Sequence, residues 1–79
     1  MTMTKDERFL VKLHDLSCAL GSYGEEVDRY FVGQAVGMND RAVDNVVRIL
    51  AQANFIKKGE GSNIILTAHG LTLVNSLKK

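Results

Sequence analysis

Apolar residues recur at spacings of three and four through Phe9, Leu10, Leu13, Leu16, Ala19 and Leu20, which predicts an amphipathic first helix. Thr4 with Glu7 three residues later has the form of a capping box, and Gly21 ends the helix before the turn Gly21-Ser22-Tyr23-Gly24. Glu25-Glu26-Val27 reads as a brief edge strand. Asp28 is placed to cap a second helix over Arg29 to Val36, closed by Gly37. Asn39 caps a third helix over residues 40–53, in which Val43, Val46, Val47 and Leu50 share one face. Asn54 follows, where a left-handed terminal residue is wanted. Phe55-Ile56-Lys57-Lys58 and Asn63-Ile64-Ile65-Leu66-Thr67, around Gly59-Glu60-Gly61-Ser62, predict a hairpin. Thr67 caps a last helix carrying Leu71, Leu73, Val74 and Leu77, and Lys78-Lys79 suit its C-terminus. Gly70 in its first turn costs about 1 kcal/mol of helix propensity relative to alanine. The expected class is α+β, mostly helical: helix, short strand, two helices, hairpin, helix.

Composition narrows the picture only a little. With 79 residues, 46% of them hydrophobic, the chain holds one domain and enough apolar side chain to fold unaided. A lone cysteine, Cys18, excludes an internal disulfide, and its place in the first apolar pattern predicts a buried thiol. No Cys/His spacing has the form of a metal site, so neither metal nor cofactor is expected. His14 and His69 stand far apart, with surface or packing roles. Asp15 beside His14 is not expected to form a catalytic pair with it, because neighbours on a helix point in different directions. Without a nucleophile–base pair, a phosphate loop or a carboxylate constellation, catalytic residues are not expected and the chain does not read as an enzyme. Phe9, Tyr23, Tyr30, Phe31 and Phe55 are expected in the core, with Tyr23, in its glycine-flanked loop, the first of them to be exposed. The start lacks the order of a signal peptide and no apolar run approaches a membrane span, so a cytoplasmic location is expected.

Residues 29–50 carry the most specific pattern. Two short helices crossing at a tight turn need apolar contacts, a small residue where backbones meet and a glycine at the bend. Val32 and Val36 supply contacts from one helix, Val43 and Val46 from the other. Gly33 and Ala35 allow close approach, Gly37 makes the turn, and Met38 points back inward. Together these positions read as a helix-turn-helix.

Val32-Gly33-Gln34-Ala35-Val36-Gly37-Met38-Asn39 resembles the "L-A-x-x-L-G-L-S" turn of the winged helix-turn-helix superfamily, in the style of MarR-like and ArsR-like regulators. Leu50 to Lys58 resembles its passage from recognition helix into wing, with Asn54 at the usual glycine. Leu66-Thr67-Ala68-His69-Gly70 is similar to its "L-T-x-x-G" step into the final helix. The resemblance spans residues 28–79 and implies a three-helix core, a two- or three-stranded wing and a C-terminal helix. Three features depart from it. The hairpin tip is short and lacks the Asp-x-Arg element of MarR-like wings, long flanking dimerisation helices are absent, and no Cys/His sensor cluster is present. Neither subfamily's ligand nor its dimer mode therefore carries over.

Net charge is +1, from ten Lys+Arg against nine Asp+Glu, so strong non-specific binding to nucleic acid is not expected and local placement must decide. On a helical wheel with Arg41 at zero, Asn45, Arg48 and Gln52 fall within about 40° of it, opposite the valine face. Arginine recognises guanine, and Asn or Gln recognises adenine, in the major groove of double-stranded DNA. Asn39 at the helix start is placed to meet a phosphate. Asp40 and Asp44 oppose this. Asp44 is repelled by phosphate unless it accepts from a cytosine amino group, and it stands four residues before Arg48, placed to pair with it and cancel its charge. The resemblance would set Lys57, Lys58, Ser62 and Asn63 near backbone phosphates, although a lysine pair on a hairpin also guards an edge strand. The leading expectation is a DNA-binding transcriptional regulator, a possible homodimer through the first or last helix. The alternative is a winged-helix adaptor that binds protein and no DNA.

Overall fold

The structure, a computed structural model, describes residues 3–78, so Lys79 of the basic terminus lies outside it. Among the described residues four helices and one sheet follow in the order α1 (Lys5–Leu20), β1 (Val27–Asp28), α2 (Arg29–Ala35), α3 (Asp40–Gln52), β2 (Ile56–Lys58), β3 (Asn63–Leu66) and α4 (Ala68–Leu77). The result is a small α+β domain, mostly helical, with an antiparallel sheet ordered β1-β3-β2. Val27 pairs with Ile64, and Ile56 with Leu66. Among the described residues no helix is long and apolar enough to cross a membrane.

Local signals set the helix starts. Thr4 and Glu7 close the capping box in both directions. Asp28 ends β1 and caps α2 by accepting from the Tyr30 amide; Asn39 caps α3 by accepting from the Ala42 amide. Thr67 uses both capacities of its hydroxyl: it accepts from the Gly70 amide and donates to the Asn54 carbonyl at 2.6 Å. Asn54 itself is left-handed, with φ 66°. Each cap contributes about 1 kcal/mol, so these bonds fix boundaries while apolar burial drives folding.

Every element feeds one core. Phe9, Leu10 and Leu13 of α1 meet Val32 of α2, the valine face of α3, Ile56, Ile64 and Leu66 of the sheet, and Val74 of α4. Burying each such side chain fully contributes about 1.5–3 kcal/mol, more than any single cap. The bend at Gly37, φ 78°, swings α3 back across α2. At that crossing a Cβ on Gly33 would overlap a methyl of Val43, so the helices touch backbone to side chain.

Several residues lie elsewhere than the apolar pattern indicates. The inward line of α1 runs Phe9, Leu10, Leu13, Ser17, and the Ser17 hydroxyl donates to the Glu25 carbonyl. That phase leaves Cys18, Ala19 and Leu20 exposed, so Cys18 is not buried. Phe31 is 57% exposed, because its neighbours Val32 and Gly33 take the inward face of a seven-residue helix. Ala35 is exposed too, leaving Gly33 as the small residue at the crossing. Tyr23 packs half-buried against the core, and Phe31 is the aromatic that is most exposed.

The hairpin tip is braced from outside the hairpin. Glu26 Oε1 accepts from the Glu60 amide at 3.1 Å and from Asn63 Nδ2 at 3.2 Å. Both bonds are exposed, so Glu26→Ala should cost only about 1 kcal/mol, read as a lower urea midpoint. Glu26→Gln, which keeps an acceptor oxygen, should lose less. Equal losses in the two variants would assign the effect to the charge and not to the brace.

Candidate functional site

α3 presents two unlike faces, because its apolar residues repeat with the period of the helix. Val43, Val46, Val47 and Leu50 are buried, while Arg41, Asn45, Arg48 and Gln52 form one exposed stripe on the other side. Within the stripe the Arg48 guanidinium donates to Asn45 Oδ1 at 3.5 Å, a long bond that leaves the guanidinium free to turn outward. Asp40 sits in the first turn, where a carboxylate is stabilised by the helix N-terminus.

Asp44 departs from the sequence expectation. It does not pair with Arg48. Its Oδ1 accepts from the Tyr30 hydroxyl at 2.8 Å and lies 3.7 Å from an Arg29 guanidinium nitrogen. The carboxylate is drawn off the stripe toward α2, and its charge is met by a half-buried cation. The hydrogen bond to Asp44 raises the Tyr30 phenol above its ordinary pKa, with desolvation and the Asp44 charge adding to the effect.

Arg29 does more than neutralise Asp44. Its backbone N–H and its Nε both donate to the Ser62 carbonyl, each at 3.1 Å. One side chain therefore ties α2, α3 and the hairpin turn together. Neither Arg29 nor Tyr30 stood out in the sequence. Their partners are 33 and 14 residues away, and only the folded chain brings them together.

The hairpin residues divide. Adjacent strand residues point to opposite faces. Lys57 opposes Ile65 on the outward face of the sheet, where it borders an open depression with Ser22, Tyr23 and Gly24. Lys58 opposes the buried Ile64, on the other face at the exposed strand end. The two lysines do not form one patch. Asn63 and the Ser62 carbonyl are engaged within the protein by Glu26 and Arg29. Asn39 spends its side-chain oxygen on the α3 cap, which leaves its amide nitrogen as a donor.

At the hairpin base Phe55 stacks on His69, with ring centroids 4.8 Å apart and planes within 5°. His69 thus packs at the surface. His14 and Asp15, expected to diverge as helix neighbours, do touch: Nδ1 lies 3.2 Å from Asp15 Oδ1. Among the described residues no group of three or more His, Cys, Asp and Glu is arranged to hold a metal ion.

No protein-family model, curated protein or solved structure matches this chain.

Proposed function

We propose that this chain is a winged helix-turn-helix domain that binds double-stranded DNA as a transcriptional regulator. In this reading α3 enters the major groove and the β2–β3 hairpin serves as the wing. The order of elements supports the assignment of the wing: a hairpin follows α3 directly and returns to α4, with β1 completing the sheet. The observation that carries the functional reading is the stripe of Arg41, Asn45, Arg48 and Gln52, from which Tyr30 and Arg29 withdraw the carboxylate of Asp44. A carboxylate left in the stripe would face the phosphates; held against α2, it costs less on approach to DNA. Arg41 and Arg48 donate to guanine or phosphate, Asn45 and Gln52 to adenine, and the Asn39 amide to the backbone. Lys58 adds a phosphate contact from the wing.

A lone domain of this size makes few contacts, so tight selection of a site calls for two copies on a two-fold operator. Exposed Leu20 at the end of α1 is an apolar residue available to such a homodimer. One observation favours the second reading, an adaptor that binds protein: Phe31, exposed on α2, is a large apolar group of the kind that anchors protein contacts.

The deciding experiment is a titration of labelled duplex at two salt concentrations. With about three phosphates neutralised, the slope of log K against log salt should be near −3. Absence of binding at low salt, with the fold intact, would overturn the DNA reading.

A further inference from the structure

The last turns of α1 hold an array that the stripe on α3 does not involve. Cys18 is exposed, and its Sγ lies 3.5 Å from His14 Nε2, one helical turn earlier. The other ring nitrogen, Nδ1, is 3.2 Å from Asp15 Oδ1. The same carboxylate oxygen accepts from Lys78 Nζ, just past the end of α4, at 2.6 Å. Thiol, imidazole, carboxylate and ammonium thus stand in one chain across the α1–α4 contact. Partial burial works against the Asp15 carboxylate, yet hydrogen bonds and charge from Lys78 and His14 outweigh it and hold its pKa below the ordinary value.

The chemistry follows from which nitrogen carries the proton. An ionised Asp15 accepts a hydrogen bond, so it selects the tautomer with the proton on Nδ1. Nε2 then has its lone pair aimed at the Cys18 sulfur. A nucleophile within reach of a base, with the base oriented by a third group, is the arrangement that activates a thiol. His14 is half-buried and Cys18 is open to solvent, so the base is held in place while the sulfur remains accessible.

We propose that Cys18 is a modification site that takes small disulfides, with His14 as the base and Asp15 as the positioning residue. The Cys18 proton passes to His14 Nε2, and the thiolate attacks one sulfur of the disulfide. A bond forms from Cys18 Sγ to that sulfur as the disulfide S–S bond breaks. The departing sulfur leaves as a thiolate with the electron pair of the broken bond; an alkyl thiolate takes the proton from His14, and an aromatic one leaves that proton to water. Cys18 is oxidised to a mixed disulfide, and one half of the reagent is reduced. The chain has no second cysteine to resolve that product, so it persists until an outside thiol attacks it.

The test uses the full chain and an aromatic disulfide that releases a coloured thiolate, followed near neutral pH. The reference for an unassisted thiol is the same chain unfolded in guanidinium, with the reagent's own rate corrected by a small thiol standard. Native protein should react roughly tenfold faster than the unfolded chain. His14→Gln should return the native rate to the reference, and Asp15→Asn should fall between. Well above about pH 8.5, where any free thiol is already ionised, the wild-type and His14→Gln rates should converge. Asp15 on α1 touches His14 directly, and Lys78 at the end of α4 acts on it through Asp15, so Lys78→Gln serves as a further variant with a smaller effect. Far-ultraviolet circular dichroism confirms that each variant is folded. A native rate no faster than the unfolded one, or a folded His14→Gln variant that reacts like wild type near neutral pH, would overturn the proposal.

Discussion

Replacing Gly70 by alanine should lower stability by about 2–4 kcal/mol, although alanine is the better helix former by about 1 kcal/mol. The sign follows from two opposed effects. Gly70 lies in the first turn of α4, where propensity alone favours alanine. A Cβ there would overlap the Phe55 carbonyl oxygen and approach Leu66 Cδ1 to 2.8 Å. The carbonyl is backbone, and it also accepts from the Thr67 amide at 3.1 Å, so it has no free rotation by which to yield. Either α4 lifts from the hairpin base or the Asn54–Phe55 turn distorts. Overpacking of this kind costs typically about 1–3 kcal/mol and occasionally more, and here it adds to a disturbed cap. A domain of this length holds in total only about 4–12 kcal/mol. Thermal unfolding should therefore show a fall of about 10–20 °C in Tm, with urea melts shifted at unchanged slope. A Gly70→Ala protein as stable as wild type would mean that propensity outweighs contact, and that α4 does not approach the strand so closely.

The second large effect concerns the proposed DNA surface. Arg48→Glu should weaken duplex binding by at least about a hundredfold, since it removes a contact of about 1–3 kcal/mol and sets a negative charge against the phosphates. The fold should survive, because Arg48 is exposed and its bond within the protein is a long one to Asn45; such surface changes move stability by only about 0.5 kcal/mol. Charge reversal at Arg8, exposed on α1, is the matched control and should leave affinity much closer to wild type. If duplex binding exists and Arg48→Glu retains it, α3 does not face the DNA. Equal losses from Arg8→Glu and Arg48→Glu would point to net charge in place of a defined surface.

Much of the fold was legible in the sequence because those positions admit few residue types. Thr4, Asp28, Asn39 and Thr67 are residues whose side chains accept from a helix's free amides, and each caps the helix that follows it. Asn54 tolerates a left-handed backbone, and it has one. The valine face of α3 repeats through enough turns to fix its orientation without tertiary knowledge. α1 misled at its end because a serine lies on the inward line. Reading only apolar residues shifts the phase at Ser17 and turns Cys18 and Leu20 inward, whereas both are exposed. α2 misled at Phe31 because seven residues make two turns, too few for periodicity to outweigh aromatic character.

The candidate site divides along the same line. The Arg41–Gln52 stripe is a property of one helix, so the wheel finds it. Asp44 near Arg48 is equally a one-helix inference, and there the local rule lost to a phenol and a guanidinium arriving from α2. The hairpin residues could not be assigned to faces until the register was known, since a lysine pair in a strand points both ways. Arg29 and Tyr30 had no local signature at all.

The hydroxyl of Thr67 joins the end of the α3 turn to the start of α4 and so closes the base of the hairpin, while Glu26 holds its tip. Fastened at both ends, the hairpin resists a slide of β2 along β3. A slip of one residue would also turn Ile64 and Leu66 out of the core. The hairpin therefore has a single pairing, and which side chains each of its faces shows is settled by the fold before any encounter with another molecule.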